Sequence, residues 1–90
     1  MRLAHLVFRS GRWSLYVVQH GRSTWPTHTF TGAAVPTLTE RSQALEALGF
    51  ACRTGEEWSW VEDSEEFANP DSPIVLIAVT GVTPAAGGAA

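Results

Sequence analysis

The sequence predicts an α+β domain in which one helix packs on one face of a five-stranded sheet. Two glycine-containing turns precede aromatic, strand-favouring runs, at residues 9–17 and 53–61. One capped helical segment stands between them, and an apolar run of strand length follows at residues 74–79. The predicted order is β-β-α-β-β-β, with an antiparallel or mixed sheet in a single domain.

The first two strands are predicted as a hairpin over residues 3–8 and 13–20, joined by Ser10 and Gly11. In the second strand, large apolar side chains alternate with Ser14, Tyr16 and Val18, which predicts one clearly apolar face. Residues 21–36 contain two glycines and two prolines and are predicted as a crossing loop with room for one short strand.

The helix is the best-specified element of the sequence. Thr37 and Glu40 fit a capping box directly after Pro36, and Gly49 stands where a left-handed residue ends a helix. Leu38, Leu45 and Leu48 share one stripe, with Ala44 beside it, so that stripe is expected to pack on the sheet. The side expected to face solvent consists of Glu40, Arg41, Gln43 and Glu46.

The second half of the chain predicts another hairpin and a central strand. The hairpin is expected to pair residues 50–53 with residues 58–62, and an acidic connection follows at residues 63–73. Residues 74–79 are apolar on both faces, which is typical of a central strand. The domain is expected to span residues 1–80, with a mobile Ala/Gly-rich tail at residues 81–90.

Composition indicates a folded protein of one core. The chain has 90 residues, 44% of them hydrophobic and 17% charged, and its one cysteine excludes an internal disulfide. Its longest apolar run is far below the roughly 20 residues that span a bilayer, so we expect a cytoplasmic protein with no membrane span. Residues 1–53 carry +4 and residues 54–90 carry −7. This asymmetry marks either a partner surface or two halves that neutralise each other.

The sequence contains no strong catalytic, metal-binding or cofactor-binding motif. His5, His20 and His28 lack the spacing of a metal site, and no cofactor-binding loop is present, so no metal or cofactor is expected. Cys52 is expected to be a buried, inert thiol. The acidic residues at 62–66 are expected to form a solvated loop. A pI of 5.5 argues against nucleic-acid binding.

The aromatic residues are the strongest functional signal. Five strands at about 4.8 Å make a sheet some 20 Å wide, whereas one helix covers about 10 Å of it. Apolar area is therefore left for the crossing loop, a second copy or a ligand. The candidate binding residues are Trp13, Tyr16, Trp25, Trp58 and Trp60, and the alternative is that most of them are core.

Two resemblances add to this interpretation. Segments from Gly11-Arg12-Trp13 to Ser72-Pro73-Ile74 resemble a family of short actinobacterial proteins of unknown function, over residues 8–79. Tyr16-Val17-Val18, Ser23-Thr24-Trp25-Pro26 and Val35-Pro36 are similar to segments of the MbtH-like proteins, adaptors that bind adenylation domains. That family's Asn-x-Glu-x-Gln run is replaced by other residues in this chain.

The sequence therefore favours a small non-enzymatic protein-interaction module that uses an aromatic sheet face or loop, in a homodimer or with another protein. One alternative is an MbtH-like adaptor that uses Trp25. Another is a small-molecule enzyme or ligand-binding domain with His5, His20 or His28 as a general base, because imidazole titrates near neutral pH.

Overall fold

The computed structural model describes residues 2–53, 55 and 57–85 as one helix and six strands in a curled antiparallel sheet, which confirms the α+β prediction. A short strand at residues 27–29 makes the predicted crossing loop part of the sheet. The elements in chain order are β1 (Arg2–Arg9), β2 (Arg12–Val17), β3 (Thr27–Thr29), α1 (Leu38–Ala47), β4 (Phe50–Cys52), β5 (Ser59–Ser64) and β6 (Ile74–Pro84).

The sheet has five positions for its six strands, in the order β3-β2-β1-β6 and then β4 and β5 at one edge. β1 and β2 form the predicted hairpin, with Leu6 opposite Leu15 and Phe8 opposite Trp13. β6 pairs with β1 on one side and with both β4 and β5 on the other. The apolar run is therefore a central strand, as predicted, because both of its edges are paired.

The predicted second hairpin is wrong. β4 and β5 both run antiparallel to β6 at the same edge, and they pair with β6 and not with each other. Cys52 lies opposite Val82 and Ser59 lies opposite Val79, so residues 53–58 bridge a gap opposite only Thr80 and Gly81. Part of this bridge, at Thr54 and Glu56, lies outside the described residues. The turn signal at Gly55 thus marks an interruption between two strands that share a partner.

The helix begins and ends as the sequence predicts. The Glu40 backbone N–H donates to Thr37 Oγ1 at 3.1 Å, and the Thr37 N–H donates to Glu40 Oε1 at 2.8 Å, which completes the capping box. Gly49 follows the helix with φ of 90°, a conformation that costs glycine little, and its N–H donates to the Glu46 carbonyl. These bonds satisfy backbone groups that would otherwise remain unpaired.

One predicted helix face and one predicted boundary need correction. Arg41 is buried and not on the solvent side, because it lies between the helix and two tryptophans. Leu38, the first residue of the helix, was predicted to pack on the sheet but is 64% exposed. β6 runs to Pro84, with Gly81 and Val82 buried, so the predicted mobile tail begins inside a strand. The rest of that tail, residues 86–90, lies outside the described residues.

Candidate functional site

The two faces of the sheet differ in what lies over them. On the covered face, α1 and residues 30–36 lie over the core, in which Leu6, Leu15 and Leu45 are fully buried. Because neighbouring side chains of a strand point to opposite faces, the register defines the second face. We call this the open face; it consists of Leu3, His5, Val7, Arg9, Arg12, Ser14, Tyr16, Val18, Val61, Asp63, Val75, Ile77 and Val79.

Trp13 belongs to the core of the covered face. Its side chain is 2% exposed, its ring centroid lies 4.8 Å from that of Phe8, and its Nε1 donates to the Ala33 carbonyl at 3.0 Å. That hydrogen bond satisfies the indole N–H and holds the loop before α1 onto the sheet. Trp13 was a predicted binding residue, but a partner cannot reach it in this structure.

Trp58 and Trp60 lie on the covered face beside the helix. The Arg41 guanidinium carbon is 5.2 Å from the Trp58 ring centroid and 5.4 Å from that of Trp60. Arg41 Nε donates to the Pro36 carbonyl at 2.9 Å, and Trp60 meets Trp13 edge-on at 5.9 Å. This cation–π cluster joins β5 to the helix, so it has a structural role even though Trp60 is 46% exposed.

Tyr16 and Trp25 lie on the open face, where they form a stack of three aromatic rings with His5. The His5 and Tyr16 centroids are 5.2 Å apart, and those of Tyr16 and Trp25 are 5.5 Å apart, with nearly parallel planes. Trp25 Nε1 donates to the Gln19 carbonyl at 2.9 Å, which fixes the indole against the sheet. Trp25 therefore covers its own domain at this point and leaves one side of the indole in solvent.

Cross-strand rows organise the rest of the open face. The middle row runs Ser14, Val7, Ile77 and Val61 from β2 to β5, and Val61 is 56% exposed. The row at the hairpin end has Arg12 opposite Arg9 on one side and Asp63 opposite Val75 on the other. Two like charges directly opposite each other are unfavourable unless an anion lies nearby.

Two cavities lie on this face. The first has a volume of about 290 Å³ and is lined mainly by apolar atoms of Leu3, His5, Tyr16, Val18, His20 and Trp25. The second, of about 520 Å³, extends from Tyr16 to the arginine end of the hairpin and reaches Val75 and Ile77. Tyr16 lines both cavities, so the two cavities adjoin at this side chain, and the second one extends to the charged end of the hairpin.

Burial shifts the titration of two groups on the open face. Desolvation lowers the pKa of His5, so its imidazole is neutral at pH 7. Burial also raises the pKa of Tyr16, and the nearby charge of Arg9 opposes that shift. The Tyr16 hydroxyl lies 3.4 Å from His5 Nδ1, so these two open-face side chains form a polar contact.

The cysteine prediction was wrong in part. Cys52 is a free thiol and is exposed rather than buried, because its strand, β4, lies at the sheet edge. Partial desolvation nevertheless raises the pKa of the Cys52 thiol, with an opposing effect of Arg41, so the thiolate is disfavoured at neutral pH. Among the described residues, no group of three His, Cys, Asp or Glu side chains could hold a metal ion. Within the same residues, no helix is long and apolar enough to cross a membrane.

The structure thus divides the five predicted binding residues between two faces. Trp13, Trp58 and Trp60 lie on the covered face, whereas Tyr16 and Trp25 lie on the open face. The sequence analysis missed the other members of the open face, above all Val7, Ile77 and Arg12 paired with Arg9. The alternation of residues 13–18 holds the signal, because it already places Ser14, Tyr16 and Val18 opposite the buried side.

Comparison with known families gives one match. A family of unknown function, DUF6303, matches residues 1–90. The chain belongs to the DUF6303 family. The resemblance to a family of unknown function is thereby confirmed, whereas nothing supports the similarity to MbtH-like proteins. No curated protein and no solved structure matches the chain. The function of this DUF6303 member must therefore be argued from the open face itself.

Proposed function

We propose that the protein is a non-enzymatic interaction module that binds a protein partner through the open face of its sheet. The observation that carries the proposal is the partly exposed apolar surface opposite the helix, with Val7 and Ile77 at its centre and Leu3 and Val61 exposed. Large exposed apolar patches on small soluble domains mark binding sites, because leaving them in water is unfavourable.

The helix and the loop before it lie on the covered face and do not occupy the open face, which supports this proposal. The loop before α1 is held on the covered face by the bond from Trp13 Nε1 to the Ala33 carbonyl. Phe30 packs against the covered core and meets His28 edge-on at 4.7 Å. Trp25, a loop residue, stacks on the open face beside Tyr16 and lines the smaller cavity together with His20. Val7 and Ile77, in the middle of the face, stay partly exposed and line the larger cavity.

Site-specific photo-crosslinking tests the proposal. A benzophenone side chain in place of Val61 probes the open face from an exposed edge-strand position, and the same group in place of Leu38 is the control. Leu38 is 64% exposed on the helix, away from the open face. In cells that produce the protein, we expect protein adducts from position 61 only. Equal or absent adducts at both positions would contradict the proposal, and an adduct with an adenylation domain would support the adaptor alternative.

A second candidate function rests on the smaller cavity. The contact between Tyr16 and the neutral imidazole of His5 lies within about 290 Å³ of mostly apolar space, which suits a small flat molecule and leaves His5 able to accept a proton. Indole is a suitable probe, with imidazole proton resonances as the readout. Shifts at His5 and His20, with none at His28 on the covered face, would support this function. Uniform or absent shifts would exclude it.

A further inference from the structure

The open face has a charge pattern that fits a second copy of itself. Across the hairpin end, two arginines lie on β2 and β1 and an aspartate lies on β5, at the opposite side of the same row. All three side chains are exposed. Each copy therefore has a positive corner, on β2 and β1, and a negative corner, on β5, at the same level along the strands. Rows of mainly apolar side chains lie next to this charged row. Such a face is self-complementary if the partner is rotated so that the two corners exchange.

One symmetry operation makes this exchange. A twofold axis that lies in the interface, parallel to the strands and between β1 and β6, keeps each row at its own height and reverses its order. Arg12 then faces the partner's Asp63 and Val7 faces the partner's Ile77, while Tyr16, with Trp25 of its own chain stacked on it, lies opposite the partner's Ser59. Stacked sheets pack about 10 Å apart with their strands roughly aligned, which this arrangement satisfies.

The other twofold axis that brings open faces together is less favourable. An axis across the strands would turn the charged row over the row formed by Leu3 and Val18. Arg9 and Arg12 would then both lie on apolar side chains and lose water without gaining an anion, whereas the strand-parallel axis pairs Arg12 with the partner's Asp63 and leaves only Arg9 opposite an apolar side chain, the partner's Val75. Because burying an unpaired charge is costly, the strand-parallel axis is the one that the charges select.

We propose that a second copy of this chain occupies the open face, in a symmetric dimer in which Arg12 of each subunit pairs with Asp63 of the other. This inference rests on the proposed function, whose partner it names. Four strands at about 4.8 Å and four rows at about 6.8 Å give a contact about 20 Å across, or roughly 800–1,000 Å² buried in total. That area is small for a dimer, so the expected dissociation constant is micromolar.

Sedimentation velocity of the purified protein between about 1 and about 500 µM tests the dimer and its register. We expect concentration-dependent dimerisation. Arg12→Asp and Asp63→Arg should each weaken it about tenfold or more, since each change places like charges together twice per dimer, and the double variant should restore it. Arg22→Asp makes the same charge change in an exposed loop and should leave dimerisation unchanged.

Two further variants probe the apolar rows. Val61→Asp should abolish dimerisation, whereas Leu38→Asp, at an exposed helix position, should not. Each variant is first checked by circular dichroism for its folded spectrum. Because Val61 and Asp63 are exposed on an edge strand, these changes leave the core intact.

Three results would overturn the proposal. One is a strict monomer at the highest concentration. Another is a dimer that ignores Arg12→Asp, which would point to pairing through the edge of β5, since Arg12 lies on β2, away from that edge. The third is a double variant no better than the single ones. If the protein is monomeric but photo-crosslinks from position 61 to another protein, the interaction module stands with a different partner.

Discussion

The covered and open faces come from the same four strands, β2, β1, β6 and β5, yet they differ in burial and in charge. On β2, Trp13, Leu15 and Val17 are buried beneath α1 and its preceding loop, whereas Ser14 and Tyr16 on the other face, and Val18 directly after the strand, stay partly exposed. The covered face ends in a partly exposed cation–π cluster around the buried Arg41, and the open face ends in an exposed pair of arginines. The comparison shows that one helix is enough for one face of this sheet, and that the second face is apolar and, apart from the buried Val75, only partly enclosed.

The largest expected effect on stability comes from removing a large side chain from the core of the covered face. Trp13→Ala removes the largest fully buried side chain and the bond to the Ala33 carbonyl, so we expect a loss of about 3–5 kcal/mol in the free energy of unfolding. Val61→Ala on the open face should cost less than about 1 kcal/mol, because that side chain is already half in solvent. Urea denaturation measures both. Similar losses of unfolding free energy for the two variants would contradict the conclusion that the covered face contributes more to stability than the open face.

The cation–π cluster should contribute a smaller amount to the same face. Arg41→Met keeps an unbranched stem but loses the charge over Trp58 and Trp60 and the bond to the Pro36 carbonyl. We expect a loss of about 2 kcal/mol, together with a change in tryptophan emission. Arg22→Met, at an exposed loop position, is the matched control and should stay within about 0.5 kcal/mol of wild type. A loss equal to that of the control would mean that β5 is held by other contacts.

The helix cap tests the contribution of α1 separately, because its hydrogen bonds stabilise the helix and not the strands of the sheet. Thr37→Ala removes the acceptor for the Glu40 N–H and should destabilise the protein by about 1 kcal/mol. Thr39→Ala changes a neighbouring exposed threonine and should cost less than half as much. Thermal unfolding followed by circular dichroism gives both values. If the two variants unfold alike, the capping box has no measurable weight in the stability of this fold.

The smallest expected effect is a pH dependence that originates on the open face. Burial lowers the pKa of His5 below 6.5, so the folded state prefers the neutral imidazole. Stability should be complete above about pH 6.5 and decrease as the pH falls towards the folded-state pKa of His5, because the unfolded chain then binds more protons. Urea midpoints at pH 7.5 and pH 5.5 measure this decrease. It should be smaller in His5→Gln than in wild type, and an equal decrease in the two proteins would contradict the assignment to His5.

The sequence predicted local features well because they depend on nearby residues. The capping box of Thr37 and Glu40, the positive φ at Gly49 and the first hairpin all involve partners within a few positions along the chain. The alternation along β2 also predicted which of its side chains are buried. The central position of β6 followed from its apolar character on both faces.

The failures share one physical cause, which is the choice of a distant partner. A glycine turn near Gly55 is compatible with a hairpin, but β4 and β5 gain more by both joining β6, whose eleven residues offer room for two strands. Arg41 is polar and was expected in water, and its burial depends on tryptophans that come 17 and 19 positions later. The split of Trp13 from Tyr16 follows from the alternation along β2, whereas the faces taken by Trp60 and Trp25 depend on the register of β5 on β6 and on a loop contact with Tyr16.

The position of β6 has a consequence for how the chain reaches its native state. Every described strand except β2 and β3 pairs with residues 74–84, which follow all the others in sequence. Before that segment is available, a hairpin and one helix are the structures that can form, and neither is stable alone. Folding should therefore be a late, all-or-none event with slow kinetics, since closing loops of up to about eighty residues precedes any gain in energy. Truncation before residue 74 should leave an unfolded polypeptide.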